Sequence, residues 1–115
     1  MLAKPLHIRR SADFSEVYDA HRSKACPYLV IYKKENDLDH PRFGFSISKK
    51  VGKAHVRNLL RRRLSEIIRL HLDGFSDDDC VIIVRRPAVD LTYDALEKEF
   101  LKLAERSGIY HENSH

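Results

Sequence analysis

The chain has 115 residues, 43% of them hydrophobic and 33% charged, with 21 Lys and Arg against 17 Asp and Glu for a net charge of +4. That length fits one domain with a modest core, and no glycine- or serine-rich tract divides it. No apolar run approaches the roughly 20 residues needed to cross a bilayer, and MLAKPLHIRR lacks the apolar centre of a secretory signal, so a cytoplasmic protein with no membrane partner is expected. Cys26 and Cys80 stand alone, without a C-x-x-C pair or zinc-ligand spacing, and read as small buried apolar residues.

Met1 to Arg10 reads as a mobile basic arm. Ser11 is placed to cap a short helix, with Asp13 in its first turn. Phe14, Val17 and Tyr18 share one face of that helix. Val17 belongs in the core, while two aromatics on so short a helix leave their exposure open. Arg22 to Ala25 suggests a short edge strand. Tyr28 to Lys34 is a firmer one, with Tyr28, Val30 and Tyr32 on one face and Leu29 and Ile31 on the other. The polar segment Glu35 to Pro41 has hairpin chemistry, so Arg42 to Ser48 is expected to return antiparallel. Its Phe43, Phe45 and Ile47 would pack under helices, and Arg42, Gly44, Ser46 and Ser48 would leave an open face of little bulk.

Charge concentrates between Arg42 and Arg69. Nine Lys and Arg face one acid, Glu66, for a local charge of +8, so the rest of the chain sums to −4. After a turn at Gly52, residues Ala54 to His71 predict a helix about 27 Å long. Val56, Leu60, Leu64, Ile67, Ile68 and His71 gather on one side of it. Asn58, Arg61, Arg62, Ser65 and Arg69 gather on the other, with Arg57 flanking them. A merely solvated face alternates charge sign. This one does not, and with Lys49, Lys50 and Lys53 just before it forms an electrostatic footprint for a polyanion, nucleic acid above all. Arg63 projects near the apolar side and is expected to lie along it.

Asp73 to Asp79 reads as an acidic linker rather than a metal site, because no further ligands sit at calcium-loop spacing. Cys80 to Val84 is apolar almost throughout, as in a strand covered on both faces. Thr92 is an N-cap for a last helix with Tyr93, Leu96, Phe100 and Leu103 as its buried stripe, and Gly108 to His115 is a tail expected to fray. The order is helix, two or three strands, basic helix, strand, helix, an α/β sandwich. The unit from the Arg42 strand to the Cys80 strand could be a β-α-β crossover.

SISKKVGKAHVRN followed by LLRRRLSEIIR resembles the signature of the bacterial ribonuclease P protein family. Arg42 and Gly44, Ser48-Lys49-Lys50, Gly52, Ala54, Arg57-Asn58 and Arg61-Arg62 match it in order and spacing, and DFSEVY, LVIYKK and CVIIVRRPA extend the likeness over nearly the whole chain. The resemblance implies an αβββαβα two-layer (α+β) sandwich like ribosomal protein S5 domain 2. It also implies a left-handed β-α-β crossover, where the general rule would give a right-handed one. The implied function is that of the protein subunit of an endoribonuclease whose RNA subunit does the catalysis, with no catalytic residue on the protein. The partners are the ribonuclease P RNA, in a 1:1 complex, and precursor tRNA, with no small-molecule substrate. Magnesium serves the complex, and the protein alone holds no metal or cofactor.

Two surfaces follow from the resemblance. Lys49, Lys50, Lys53, Arg57, Asn58, Arg61 and Arg62 would meet the catalytic RNA. Phe14, Tyr18, Val30 and Tyr32 would line a cleft for the single-stranded 5′ leader. Leu59, Ser65 and His55 depart from the family pattern, so contacts at those positions do not carry over. A ribosomal or ribosome-assembly protein could share the fold. A protein-only nuclease would need converging acids or histidines, yet His7, His21, His40, His55 and His71 fall on different predicted elements. A helix-turn-helix would need a second helix directly before the basic one.

Overall fold

A computed structural model describes residues 2–112. The elements are α1 (Ser11–Asp19), β1 (Ser23–Ala25), β2 (Leu29–Glu35), β3 (Arg42–Ser46), α2 (Ala54–Leu70), β4 (Asp78–Val84) and α3 (Tyr93–Arg106), with short 3-10 turns at Lys4–Leu6, Leu72–Gly74 and Arg86–Asp90. The order is the expected αβββαβα. The four strands lie in the order β1-β2-β4-β3.

That order corrects the hairpin expectation. β3 does run opposite to β2, but β4 lies between them, antiparallel to β2 and parallel to β3. The reason is burial. In β4, Cys80, Val81, Ile82 and Val84 are all nearly inaccessible, and a strand apolar on both faces gains most at the centre of a sheet. The polar segment before β3 therefore spans the width of β4, and α2 supplies the long connection that a parallel pair requires.

One face of the sheet, with Leu29, Ile31, Phe43, Ile47, Cys80, Ile82 and Val84, packs on α2 and α3 to form the main core. α2 contributes Leu60, Leu64, Ile67 and Ile68, and α3 contributes Leu96, Phe100, Leu103 and Ala104. Tyr93 is only partly buried, and the Thr92 side chain accepts the capping bond from the Ala95 N–H at 3.2 Å. The other face carries a small cluster of Ile8, Val17 and Val81 beneath α1.

Several local expectations change. The arm is seated rather than loose: Leu2 and Ile8 are buried, and the Ile8 N–H donates to the Phe43 carbonyl at 2.9 Å. Ser11 begins α1 instead of capping it, and Arg10 at the N-cap makes no side-chain cap bond. The segment after α3 folds back, burying Ile109 and Tyr110, with the His111 N–H donating to the Gly74 carbonyl at 2.8 Å. The end of the expected tail, residues 113–115, lies outside the described residues. Asp78 and Asp79 belong to β4, not to a linker, and both are buried.

Candidate nucleic-acid interface

The turn after β3 is pinned from below. Ile47 and Val51 are buried while Ser48, Lys49, Lys50 and Lys53 are exposed, so the apolar pair anchors the turn and the cations point outward. α2 starts immediately afterwards with Lys53 at its N-cap, no side-chain cap bond and no acid in its first turn. Among the described residues no side chain caps its free N–H groups, which carry the positive end of its dipole.

The cations of the basic stretch separate by what they touch. Arg42 is fastened to Asp79, its Nε donating to Oδ1 at 2.9 Å, with Asp13 a further 3.7 Å contact. Arg69 donates to Glu66, and these bonds hold the Glu66 carboxyl below its ordinary value. Arg63 reaches the Leu91 carbonyl at 3.5 Å along the apolar side, as expected. Lys49, Lys50, Lys53, Arg57, Arg61 and Arg62 make no ion pair among the described residues. Arg57 Nε donates to the Gly52 carbonyl at 3.2 Å, and Arg61 Nη1 to Asn58 Oδ1 at 3.0 Å. Those bonds orient two guanidinium groups without neutralising them. Ser65, assigned to the cationic face, is instead buried on the floor of a hollow that α2 shares with Leu2 of the arm and Tyr93. Leu59 remains 41% exposed among the arginines.

On the α1 side, the register sets side chains in rows across the strands. Lys34, Asp79 and Arg42 form one row. Ser23, Tyr32, Val81 and Gly44 form the next, and Ala25, Val30, Ile83 and Ser46 the third. α1 covers the first two rows. Glu16 sits 3.4 Å from Lys34, and Asp13 meets Arg42. Val17 packs with Val81, while the Tyr18 ring stands edge-on to Tyr32 with centroids 5.0 Å apart. Phe14 lies over Gly44 so closely that a Cβ there would meet the ring Cζ at 2.6 Å. Among the described residues no helix covers the third row: Val30, Ile83 and Ser46 stay half-exposed and Ala25 exposed. The result is a cleft with Phe14 and Tyr18 along one wall and Val30 and Ile83 on the floor.

Because β3 and β4 are parallel, their exits lie at the same end of the sheet. The Ser48 to Lys53 turn and the start of α2 leave there, as do Arg85 and Arg86. The open row is the one nearest that end. Cleft and unpaired cations therefore adjoin.

A family model described as Ribonuclease P matches residues 2–108. The chain belongs to the bacterial ribonuclease P protein family. It is 50% identical to the ribonuclease P protein component of Desulforamulus reducens over 98 residues, covering 84% of this chain and 87% of that one. The corresponding protein of Clostridioides difficile is 39% identical over 107 residues, covering 89% and 91%. Among solved structures, the Staphylococcus aureus RNase P protein superimposes with a TM-score of 0.88 at 30% identity, over 92% of this chain and 98% of that one. The Thermotoga maritima RNase P protein gives 0.81 at 27% identity, over 87% and 96%. The chain is thus a component of ribonuclease P, an endoribonuclease of tRNA processing, and associates with ribonuclease P RNA.

Within this family member the structure brings Phe14, Tyr18, Val30 and Tyr32 to one cleft, and Lys49, Lys50, Lys53, Arg57, Asn58, Arg61 and Arg62 to the turn and helix beside it. Two neighbours are not visible from the sequence, Ile83 and Arg85, whereas Ser46 lies on the open face that the alternation of β3 predicts. Ile83 hides in the run CVIIV, whose alternate side chains separate only once β4 is known to be central. Arg85 continues that alternation past Ile83, is exposed, and donates from Nη1 to the Cys26 carbonyl at 3.3 Å.

Proposed function

We propose that this protein holds the single-stranded 5′ leader of precursor tRNA in the α1 cleft while the turn and outer face of α2 grip the catalytic RNA. The observation that supports this most is the junction of two unlike surfaces at one end of the sheet: an aromatic, open-floored cleft and six cations that have no acid partner among the described residues. Long cations meet phosphates of either RNA and make the association salt dependent. Phe14, Tyr18 and Tyr32 offer ring faces and edges to unpaired bases, where stacking contributes about 1–3 kcal/mol per base without demanding one sequence. A duplex keeps its bases stacked on each other and has none to offer.

In this reading the protein positions the leader, and the bond is broken by the RNA subunit with magnesium. Lys49, Lys50 and the start of α2 bring positive charge to where leader and catalytic RNA meet, which screens phosphate repulsion between them. Among the described residues no three His, Cys, Asp or Glu side chains converge, and Asp79 is occupied by Arg42 and Asn36. One protein per RNA is the expected stoichiometry.

Reconstitution tests the reading. Purified protein and its matching ribonuclease P RNA are mixed with precursor tRNA at low magnesium and moderate salt. Protein alone should be inert, RNA alone slow, and the mixture active, with the gain confined to substrates that carry a leader. An equal gain on leaderless substrates would remove the cleft from the account. Cleavage by the protein alone would place the chemistry elsewhere.

A further inference from the structure

At the opposite edge of the sheet from β3, a hollow of about 320 Å3 opens between β1 and the end of α3, with His21, Arg22, Lys24, Ile31, Lys33 and Ser107 in its lining. Among the described residues the lining contains no acid. A second hollow along the C-terminal half of α3, by contrast, sets Lys98 and Lys102 among Asp73, Glu105 and Glu112. Arg22, Lys24 and Lys33 make no ion pair among the described residues. Lys33 has a local reason for its position, because its ammonium lies against the last turn of α3, 3.1 Å from where a Cβ on Gly108 would stand, at the negative end of the helix dipole. Arg22 and Lys24 have no such reason. A single lysine is enough to keep a short exposed edge strand from pairing with another chain. Three cations and a histidine around one hollow exceed that need and repel one another unless an anion lies between them.

The register connects this hollow to the cleft. The open row runs from Ser46 through Ile83 and Val30 to Ala25, across the strands rather than along them. An unpaired strand lying on it crosses three strand spacings, about 14 Å, and leaves the sheet over β1. Side chains alternate along a strand, so Ser23 and Ala25 face the cleft, while Arg22 and Lys24 point round the edge toward the hollow. We infer that the β1 edge is a distal phosphate site, where Arg22, Lys24 and Lys33 hold the backbone of single-stranded RNA after it has crossed the cleft. This rests on the leader reading above and extends it to the upstream part of the leader, the part too far from the cleavage site to touch the aromatics.

The test uses the reconstituted holoenzyme with a series of precursor tRNAs whose leaders lengthen one nucleotide at a time, together with mature tRNA. Two variants are compared with the parent: Arg22→Gln/Lys24→Gln, both at exposed positions, and Lys33→Gln. In the parent, affinity should step up once the leader is long enough to reach β1. The double variant should lose that step, at least about fivefold on the longest leader, with a salt slope reduced by about 1.4. Short-leader and mature tRNA binding should stay unchanged. Lys33→Gln should give a smaller loss of the same pattern. Loss of equal size on every substrate would overturn the proposal by making the edge a general RNA contact, and no loss on any would leave these as solvated cations. Phe14→Ala serves as the control for the underlying reading. If Phe14→Ala weakens short-leader binding and the edge variants change nothing, only the edge proposal fails. If Phe14→Ala discriminates no leader at all, the cleft reading falls first.

Discussion

Arg42 and Asp79 join β3 to β4 on the α1 side of the sheet, and the pair is largely shielded, with side-chain exposures of 23% and 9%. Burial pushes the Asp79 carboxyl up, but hydrogen bonds from Arg42 and Asn36 outweigh it and hold the group below its ordinary value. A carboxylate lowered in the folded state stabilises the fold above the unfolded value, about pH 4, and that contribution drains away as pH falls through the lower folded value. Asp79→Asn should therefore cost about 2 kcal/mol at neutral pH. Urea denaturation should show parent and variant converging as the buffer is taken below about pH 4; a gap that persists there would deny the ion pair its role. Gly44 poses a different residue-scale question. Its conformation is ordinary strand, but a Cβ would collide with Phe14, so Gly44→Ala should displace the ring at a cost of about 1 kcal/mol of stability. Precursor tRNA binding should fall as it does for Phe14→Ala, with mature tRNA binding unaffected. Equal weakening of both tRNAs would return Phe14 to a packing role. Charge counting alone places Arg42 with the RNA-facing cations, because nothing in the sequence pairs it with an acid 37 positions away. Gly44 reads only as a position of little bulk until the ring above it is seen.

α2 shows how an element can be legible in outline and opaque in detail. Its 3.6-residue period separates Leu60, Leu64, Ile67 and Ile68 from Arg57, Arg61, Arg62 and Arg69, and the structure keeps that division. Ser65 breaks it because the N-terminal arm folds against this side of the helix, a long-range contact that periodicity does not contain. The same limit explains the hairpin. Polar turn chemistry between β2 and β3 signals a reversal of direction, which occurs, but not adjacency, which the central demand of β4 decides. Within α2, neighbouring arginines should behave differently. Arg62 is exposed and has no ion-pair partner among the described residues, so Arg62→Ala should leave the melting curve unchanged and flatten the salt dependence of RNA binding by about one unit of slope. Arg57 also bonds to the Gly52 carbonyl, so Arg57→Ala should weaken RNA binding and lose about 1 kcal/mol of stability as well. Filter binding across a salt series, paired with urea denaturation, separates the two. An unchanged slope for Arg62→Ala would remove it from the phosphate contacts.

At the scale of the whole molecule, the sheet is the divider: α1 and the cleft lie on one face, α2 and α3 on the other. Stacked layers stand about 10 Å apart, so Phe14 and Arg62 share no partner although both serve the end of the sheet where β3 and β4 exit. Two sites so separated should contribute independently. In the reconstituted complex, Phe14→Ala/Arg62→Ala should lower precursor affinity by the sum of the single effects, to within about 0.5 kcal/mol. The origins of the two losses should also differ. Arg62→Ala should weaken assembly with the catalytic RNA measured without substrate, where Phe14→Ala has no effect. Phe14→Ala should weaken substrate binding at protein concentrations that saturate the RNA, where Arg62→Ala recovers. A coupling well beyond about 0.5 kcal/mol would mean that one RNA strand touches both faces, and the cleft and the basic helix would then form a single continuous groove. Independence would instead give the sheet a mechanical role. It would hold two RNA surfaces at a fixed offset, so that a leader gripped on one face enters a catalytic RNA gripped on the other.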